Sequence, residues 1–142
     1  MSEDEQLRIR RARIEEIRPL AQEYRAEQER DPEGLPEPAL PQGGIFWLAA
    51  DAEGTPLGYA AGTLRPSGCT IGPVFARDQA RRRGVGEALI TAVQDWARDT
   101  RVPVVEISVA AENEAGRAFL EALGYRPRRV LMSLHPDGAS RR

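Results

Sequence analysis

The order in which two hydrophobic periodicities occur along the chain constrains its fold more than any other feature. Residues 45–76 contain three short apolar runs separated by tight turns, which is typical of antiparallel strands. From Val85 the apolar residues recur at helical spacing as far as Asp99, and a valine-rich run and a second helical pattern follow. Because strands come first and helices and strands then alternate, the order predicts an α+β fold.

Turn and loop residues divide the rest of the chain into predicted elements. Residues 31–44 hold four prolines and three glycines and are predicted to be a loop. Pro19 falls inside the first helical pattern, where a proline is expected only in the first turn. The predicted strands are 7–10, 45–50, 57–64, 69–76, 102–109 and 130–134, and the predicted helices are 14–30, 85–99 and 113–123. The last helix is predicted to face the core with Ala115, Ala118, Phe119, Ala122 and Leu123.

Length and composition limit the classes of protein that the chain can belong to. Its 142 residues predict a single domain, 1–142, with flexible ends at 1–6 and 136–142. The formal net charge of −2 gives no broad basic surface for nucleic acid, and the only cysteine, Cys69, excludes an internal disulfide. The longest apolar run, 45–50, is too short to cross a membrane. We therefore expect a cytoplasmic protein without a membrane, nucleic-acid or metal partner.

The stretch Arg-Arg-Arg-Gly-Val-Gly at residues 81–86 directly precedes a predicted helix. Free N–H groups and the positive end of the helix dipole converge at such a point, and arginines add charge-assisted contacts, so a phosphate is the expected ligand. A charge run of this kind is also often only a solvated surface. Two familiar phosphate motifs are absent, because Leu89 stands where a dinucleotide fingerprint needs a glycine and the chain has no lysine for a P-loop.

Two blocks of sequence match the motifs of one known superfamily. The first is Arg/Gln-x-x-Gly-x-Gly/Ala, which residues 81–86 match. The second is a Val-x-x-x-Asn run at 109–113, followed by a helical segment that ends in Leu-Gly-Tyr at 123–125. Together they resemble the GNAT superfamily, the acyl-CoA-dependent N-acyltransferases, specifically over residues 69–125. The resemblance implies a GNAT-like fold with a mixed central sheet of six to seven strands and flanking helices.

The resemblance also implies a binding site for acetyl-CoA as acyl donor, an amine as acceptor, and a homodimer as an allowed assembly. In relatives the loop amides hold the diphosphate of coenzyme A, and the preceding strand pairs with the pantetheine arm. Asn113 matches an asparagine that contacts this arm, and it can also cap a helix. The implied binding residues are Val74, Phe75 and Ala76 after a bulge at Gly72-Pro73, and Arg81, Arg82, Arg83, Gly84, Val85 and Gly86 in the loop.

The implied reaction is direct attack of the amine on the thioester, and it needs a base because an alkylammonium has a pKa of about 10. Glu106 and Ser108 share one face of the predicted strand 102–109 by alternation. Glu106 is the candidate base, acting through water held by Ser108, and a structurally paired or solvated glutamate is an equally good interpretation. Leu120 stands where many relatives carry a tyrosine acid, so the sequence identifies no acid.

Three classes of function remain open at this point. The first is an N-acetyltransferase that acts on a small-molecule or peptide amine. The second is an acyl-CoA-binding regulatory module with little or no turnover, which Leu120 keeps open. The third is a small phosphate- or nucleotide-binding protein, which the missing motifs weaken. Residues 15–40 hold eight acidic residues and three arginines, which would suit a cationic acceptor, although a solvated helix face explains them better.

Overall fold

The structure is a computed structural model that describes residues 7–30, 39–134 and 136. The predicted flexible residues 1–6 and 137–142, and residues 31–38 of the predicted loop, lie outside this part. The elements in chain order are β1 (Arg8–Ala12), α1 (Ile14–Glu29), β2 (Ile45–Ala50), β3 (Pro56–Arg65), β4 (Gly68–Ala76), α2 (Val85–Asp99), β5 (Val105–Ile107) and α3 (Glu114–Ala122), with a 3-10 turn at Asp78–Arg83.

The strands form one sheet in the order β1-β2-β3-β4-β5. The first three pairings are antiparallel, whereas β5 runs parallel to β4. A mixed sheet with helices confirms the predicted fold class. The predicted count of six to seven strands is wrong for the described residues, because residues 130–134 form no strand. The predicted strand 102–109 is also shortened to β5, since its pairing with β4 stops at Ile71, where β4 bulges.

Both faces of the sheet are buried, which explains the uninterrupted apolar run of β2. Along β2, Phe46 and Leu48 face α1, whereas Trp47 and Ala49 face α2. The core therefore consists of two clusters on opposite sides of the sheet. The α1 side includes Ile17, Leu20, Phe46, Leu48, Tyr59, Ala61 and Phe75, and the α2 side includes Trp47, Ala49, Ile71, Ala80, Val85, Leu89 and Val93.

A bulge in β4 turns the two ends of this strand to opposite faces of the sheet. The register shifts between Ala60 and Gly62 of β3, so that Gly72-Pro73 of β4 oppose a single residue. Residues four apart share a face in a regular strand, yet Ile71 packs on the α2 side and Phe75 on the α1 side. The bulge predicted at Gly72-Pro73 is confirmed, and it begins the divergence of β4 from β5.

Helix α1 accommodates a proline beyond its first turn, which corrects the expectation for Pro19. Proline at this position leaves the carbonyl of Glu15 without its helical N–H donor. Because Pro19 and Glu15 are both exposed, water can reach that carbonyl. Ile17 and Leu20 are buried against the sheet and hold the helix in place on either side of the proline.

The chain after β5 is much less buried than the sequence predicts. In α3 only Leu120 is buried, Phe119 is half-buried, and four residues predicted to face the core are exposed: Ala115, Ala118, Ala122 and Leu123. The reason is that no further strand lies beyond β5 in the described sheet for this helix to cover. The exposed fractions of Val130, Leu131, Met132 and Leu134 are 81 %, 83 %, 83 % and 85 %.

Candidate functional site

The central feature of the site is an open edge on the second half of β4. Strand β5 pairs with β4 only at residues 69–71, so residues 74–76 are hydrogen-bonded to β3 alone within the described sheet. The Arg77 N–H donates to the Leu57 carbonyl at 2.8 Å, which fixes the antiparallel alternation. The backbone groups of Phe75 therefore face β3, and those of Val74 and Ala76 face the open side.

This geometry refines the predicted strand contacts. Val74 and Ala76 can offer backbone N–H and C=O groups to a ligand, as the resemblance implies. Phe75 cannot, because its backbone pairs with Tyr59 and its buried side chain belongs to the core on the α1 side. Its ring stacks on Tyr24 at a centroid distance of 4.9 Å. The prediction that Phe75 binds the donor directly is therefore corrected to a structural role beneath the edge.

The glycine-rich loop starts α2 next to this edge. Gly84 has a φ of 74°, a left-handed conformation that favours glycine, and it is the N-cap of the helix. The side chain of Val85 is fully buried, so this residue fixes the helix on the core and can contribute only its backbone outward. The first N–H groups of a helix lack intrahelical acceptors, and in α2 they belong to Val85, Gly86 and Glu87.

Open space adjoins this first turn. A Cβ atom added to Gly86 would meet no heavy atom within 4 Å. A Cβ atom added to Gly84 would lie 3.4 Å from Oε1 of Glu87, so one carboxylate of the first turn lies close to the loop. The absence of a side chain at Gly86 thus leaves room beside free backbone donors, which is the arrangement that a phosphate requires.

The three loop arginines do not serve one purpose. The Arg81 guanidinium already has partners within the protein, because it contacts Glu27, Asp78 and the Ala76 carbonyl. In contrast, Nε of Arg83 is buried and has no hydrogen-bond partner among the described residues. Such an orphaned donor is costly in a folded protein and fits a site for an external acceptor. For Arg82 only the backbone, in the 3-10 turn, is described.

Glu106, the candidate base, lies in the middle of β5 opposite Thr70. Val105 and Ile107 pack toward the α2 side, so alternation directs Glu106 to the other face of the sheet. Its carboxylate lies 3.9 Å from the Arg128 guanidinium and 3.6 Å from that of Arg129. Both interpretations made from the sequence, a base and a paired glutamate, therefore remain compatible with its surroundings.

Ser108 does not share the strand with Glu106. Strand β5 ends at Ile107, and Ser108 is an exposed residue in the segment that follows. The prediction that alternation places the two side chains on one face is therefore wrong in its premise. The physical reason is that the bulge of β4 removes the partner that residues 108–109 would need to continue the ladder.

Asn113 caps α3, as the second of its two predicted roles requires. Its Oδ1 accepts the Gly116 N–H at 2.9 Å. Gly116 is closely packed beneath this side chain, since an added Cβ would lie 2.6 Å from Nδ2 of Asn113. Leu120, at the position of the missing tyrosine, is buried. The cofactor contact of Asn113 stays a prediction.

Two pairs of side chains that the sequence did not identify connect α1 to the site. Glu23 lies 3.1 Å from Arg77, and Glu27 lies 2.5 Å from Arg81. Together with the Glu16–Arg10 pair at 2.7 Å, they neutralise much of the acidic charge of α1. The expected acidic surface for a cationic acceptor is therefore smaller than the sequence suggests. Sequence separations as large as 54 residues gave no local signal for these pairs.

Other kinds of site are not found in the described ranges. No group of three or more His, Cys, Asp or Glu side chains there could hold a metal ion. No helix there is long and apolar enough to cross a membrane. The geometry that does stand out combines a strand edge opened by a bulge with a glycine-rich helix start.

A known family matches the part of the chain that contains the bulged strand and the glycine-rich helix start. The sequence model of the acetyltransferase (GNAT) family matches residues 11–125. The chain belongs to the GNAT family. The matched range runs from β1 to the turn after α3, and it stops just before the exposed segment 126–134. No curated protein sequence matches the chain significantly.

Solved structures with similar folds include N-acetyltransferases. A GCN5-related N-acetyltransferase from Kribbella flavida has a TM-score of 0.65 and 26% identity, covering 86% of this chain and 83% of its own. The ribosomal-protein-S18-alanine N-acetyltransferase of Escherichia coli has a TM-score of 0.69 and 17% identity, covering 87% and 79%. An aminoglycoside N-acetyltransferase in complex with CoA has a TM-score of 0.63 and 22% identity, covering 90% and 98%.

Proposed function

We propose that this GNAT protein transfers an acetyl group from acetyl-CoA to a primary amine of a small molecule or peptide by direct attack. One observation carries the proposal: the open edge of β4 leads directly to the glycine-rich start of α2. An extended ligand with amides at one end and phosphates at the other matches these two features in order. Acetyl-CoA has this form, and its thioester supplies the acetyl group.

The residues present fit the donor at both parts of the site. Along β4, the backbone groups of Val74 and Ala76 would pair with the amides of the pantetheine arm. At the start of α2, the N–H groups of Val85 to Glu87 and the guanidinium of Arg83, whose Nε has no partner among the described residues, would hold the diphosphate. The empty space at Gly86 allows the close approach that such contacts need.

Glu106 is the proposed base for the acceptor amine. An alkylammonium must lose a proton before or during attack, and a carboxylate can take it directly or through one water molecule. The ion pairs of Glu106 with Arg128 and Arg129 do not prevent this role, because both arginines are largely exposed and such pairs are weak. Ser108, just beyond the strand, remains the proposed holder of that water.

The leaving thiolate needs no dedicated side-chain acid in this proposal. Leu120 carries no proton to give, and it is buried in the core rather than directed at solvent. A thiol has a pKa of about 8.5, so its thiolate leaves readily near neutrality and can be protonated by water. The protein therefore has to position the donor and deprotonate the amine, and little else.

A regulatory module that binds acyl-CoA with little or no turnover is the second candidate. It is favoured by two features: the Glu106 carboxylate is engaged with two arginines, and Leu120 stands where many relatives carry a tyrosine. A cytoplasmic location, and a homodimer as an allowed assembly, stay predictions under either function.

Release of free thiol from acetyl-CoA in the presence of a panel of primary amines tests the proposal. We expect release that depends on both substrates, together with saturable binding of acetyl-CoA in calorimetry. Binding without thiol release for any amine would favour the regulatory module. Absence of binding would contradict both functions and return the glycine-rich loop to the class of other phosphate sites.

A further inference from the structure

The Arg81 side chain occupies one backbone acceptor on the edge of β4 that the donor would use. Its Nε donates to the Ala76 carbonyl at 2.9 Å. That carbonyl belongs to the set of backbone groups that face the open side, because Phe75 and Arg77 are the residues bonded to β3. An N–H group of this chain therefore already occupies an acceptor that an amide N–H of an extended ligand would need.

Arg81 is held in this position from a distant part of the chain. A terminal nitrogen of its guanidinium lies 2.5 Å from Oε1 of Glu27, near the end of α1, and the other lies 3.3 Å from Asp78. The guanidinium carbon is also 5.9 Å from the centroid of the Phe75 ring. The contact with Glu27 joins the edge of β4 to α1 across 54 residues of sequence.

A second ion pair on the same helix provides an internal comparison. Glu23 lies one turn before Glu27 and pairs with Arg77 at 3.1 Å. The Arg77 guanidinium also donates to the Pro56 carbonyl at 3.3 Å, which is at the start of β3 and not on the open side of β4. The two pairs therefore have similar chemistry, but only the one with Arg81 covers a ligand-binding group.

We propose that Arg81 and Glu27 form a latch that closes the open edge of β4 in the free protein and that the acyl donor opens. This inference rests on the proposed function, since it requires a donor on that edge. Both side chains are partly exposed, so their ion pair is weak enough for a ligand to displace. When the Arg81 Nε leaves Ala76, Glu27 loses its partner and the end of α1 is released. Donor binding is thereby coupled to the helix beside the site.

Calorimetry with acetyl-CoA on the full chain and its variants tests the latch. Glu27→Gln weakens the hold on Arg81, and Arg81→Gln removes the latch while keeping a residue that the loop pattern allows. We expect each to bind acetyl-CoA about two- to fivefold more tightly, the range that corresponds to one exposed charged contact. The double variant should gain no more than either single one, because both act on one contact. Glu23→Gln, the matched control, should bind as the natural chain does.

The direction of the Arg81→Gln effect separates the latch from its main competitor. If Arg81 instead contacts the diphosphate, Arg81→Gln binds more weakly, and the latch is overturned. Unchanged affinity in Glu27→Gln overturns it as well, while binding by the natural chain leaves the proposed function intact. If the natural chain does not bind acetyl-CoA, both the latch and the proposed function fail.

Hydrogen exchange supplies a readout that a purely structural role of Glu27 would not change. With the natural chain, acetyl-CoA should speed amide exchange at residues 27–30, at the end of α1, because their partner has moved away. With Glu27→Gln, exchange in this segment should already be fast and should not respond to acetyl-CoA. Slower exchange of residues 27–30 in the natural chain on binding would contradict the latch.

Discussion

The segment from β4 through α2 and the segment after β5 differ sharply in how firmly the protein holds them. The first has buried anchors on successive elements, among them Ile71, Val85 and Leu89. The second, residues 108–134, has Leu120 as its only buried residue, and four large apolar side chains near its end are exposed. The donor-binding features belong to the first segment. The residues proposed for proton transfer lie at the border of the second.

This difference separates two kinds of requirement in one site. Holding a donor needs fixed backbone groups, which a bulged strand and a helix start anchored by Val85 supply. Proton transfer through water tolerates a less constrained position, as long as a carboxylate is within reach. Glu106 contacts both segments, because its backbone position in β5 pairs with Thr70 of β4 and its carboxylate lies near two arginines of the exposed segment. Its substitution is therefore the sharpest test of where the chemistry resides.

Replacing Glu106 with glutamine should have the largest effect on activity. If it is the base, turnover should fall by about 10²- to 10⁴-fold, and most at low pH, where fewer amines are already deprotonated. Steady-state rates across a pH series measure this effect. Glu112→Gln, an exposed glutamate of the segment after β5, is the control and should change little. Natural turnover at all pH values in Glu106→Gln would move the chemistry away from β5.

Truncating core and tail leucines should show the contrast in packing directly. Leu89→Ala should lower the free energy of unfolding by about 2–5 kcal/mol, since it leaves a cavity under the sheet. Leu131→Ala removes the same atoms from an exposed side chain and should change it by about 0.5 kcal/mol or less. Urea unfolding of both variants measures the difference. Equal losses would show that residues 130–134 are packed in solution, and the contrast between the two segments would disappear.

The same contrast explains which features were predictable from sequence. The bounds of β2 and α2 agree with the prediction, because the spacing of their apolar residues by itself indicates which side chains are buried. The length of β5 was not predictable, because it depends on the bulge in a different strand. For the same reason the predicted strand 102–109 includes Ser108, although β5 ends before it. The ion pair between Arg81 and Glu27 depends on how α1 lies on the sheet, and no local sequence pattern predicts that arrangement.

Adding one methyl group at the helix start should change binding and stability in opposite directions. Gly86→Ala places its Cβ in open space and should stabilise α2 by about 0.5–1 kcal/mol, since alanine is the better helix former. If the diphosphate approaches this backbone, affinity for acetyl-CoA should fall by about tenfold, or 1.4 kcal/mol.

Calorimetry and thermal unfolding of one protein sample measure the two effects of Gly86→Ala together. Gly84→Ala serves as the comparison, because its φ of 74° makes any side chain strained and should lower stability as well as binding. Unchanged affinity in Gly86→Ala would remove the first turn of α2 from the donor site, although the fold would stay as described.

The smallest expected effect concerns an exposed contact at the start of α1, a helix that Ile17 and Leu20 bury against the sheet, so it tests whether a place beside the core stabilises without burial. The Glu16 carboxylate accepts a hydrogen bond from Arg10 at 2.7 Å and one from the Arg13 N–H at 2.9 Å. The bond from Arg10, followed by the one from the Arg13 backbone, lowers the pKa of Glu16 to about 2. These bonds cap the start of α1, although the side chain carrying them is solvated.

A lowered pKa in the folded state means that the unfolded chain binds the proton first as pH falls. The contribution of Glu16 to stability is therefore present above its unfolded pKa of about 4.3 and is lost as pH falls toward about 2. Thermal unfolding of Glu16→Gln should show a slightly lower midpoint than the natural chain at neutral pH, with the difference shrinking across this window.

Glu15→Gln removes the same charge from the same turn but leaves both bonds of Glu16, so its midpoint should not follow that pH course. A difference in Glu16→Gln that persists undiminished near pH 2 would mean that the two bonds are not the source of the stabilisation. Because the contact is exposed, its effect should stay far below that of Leu89→Ala, which ties stability in this protein to burial rather than to position in the chain.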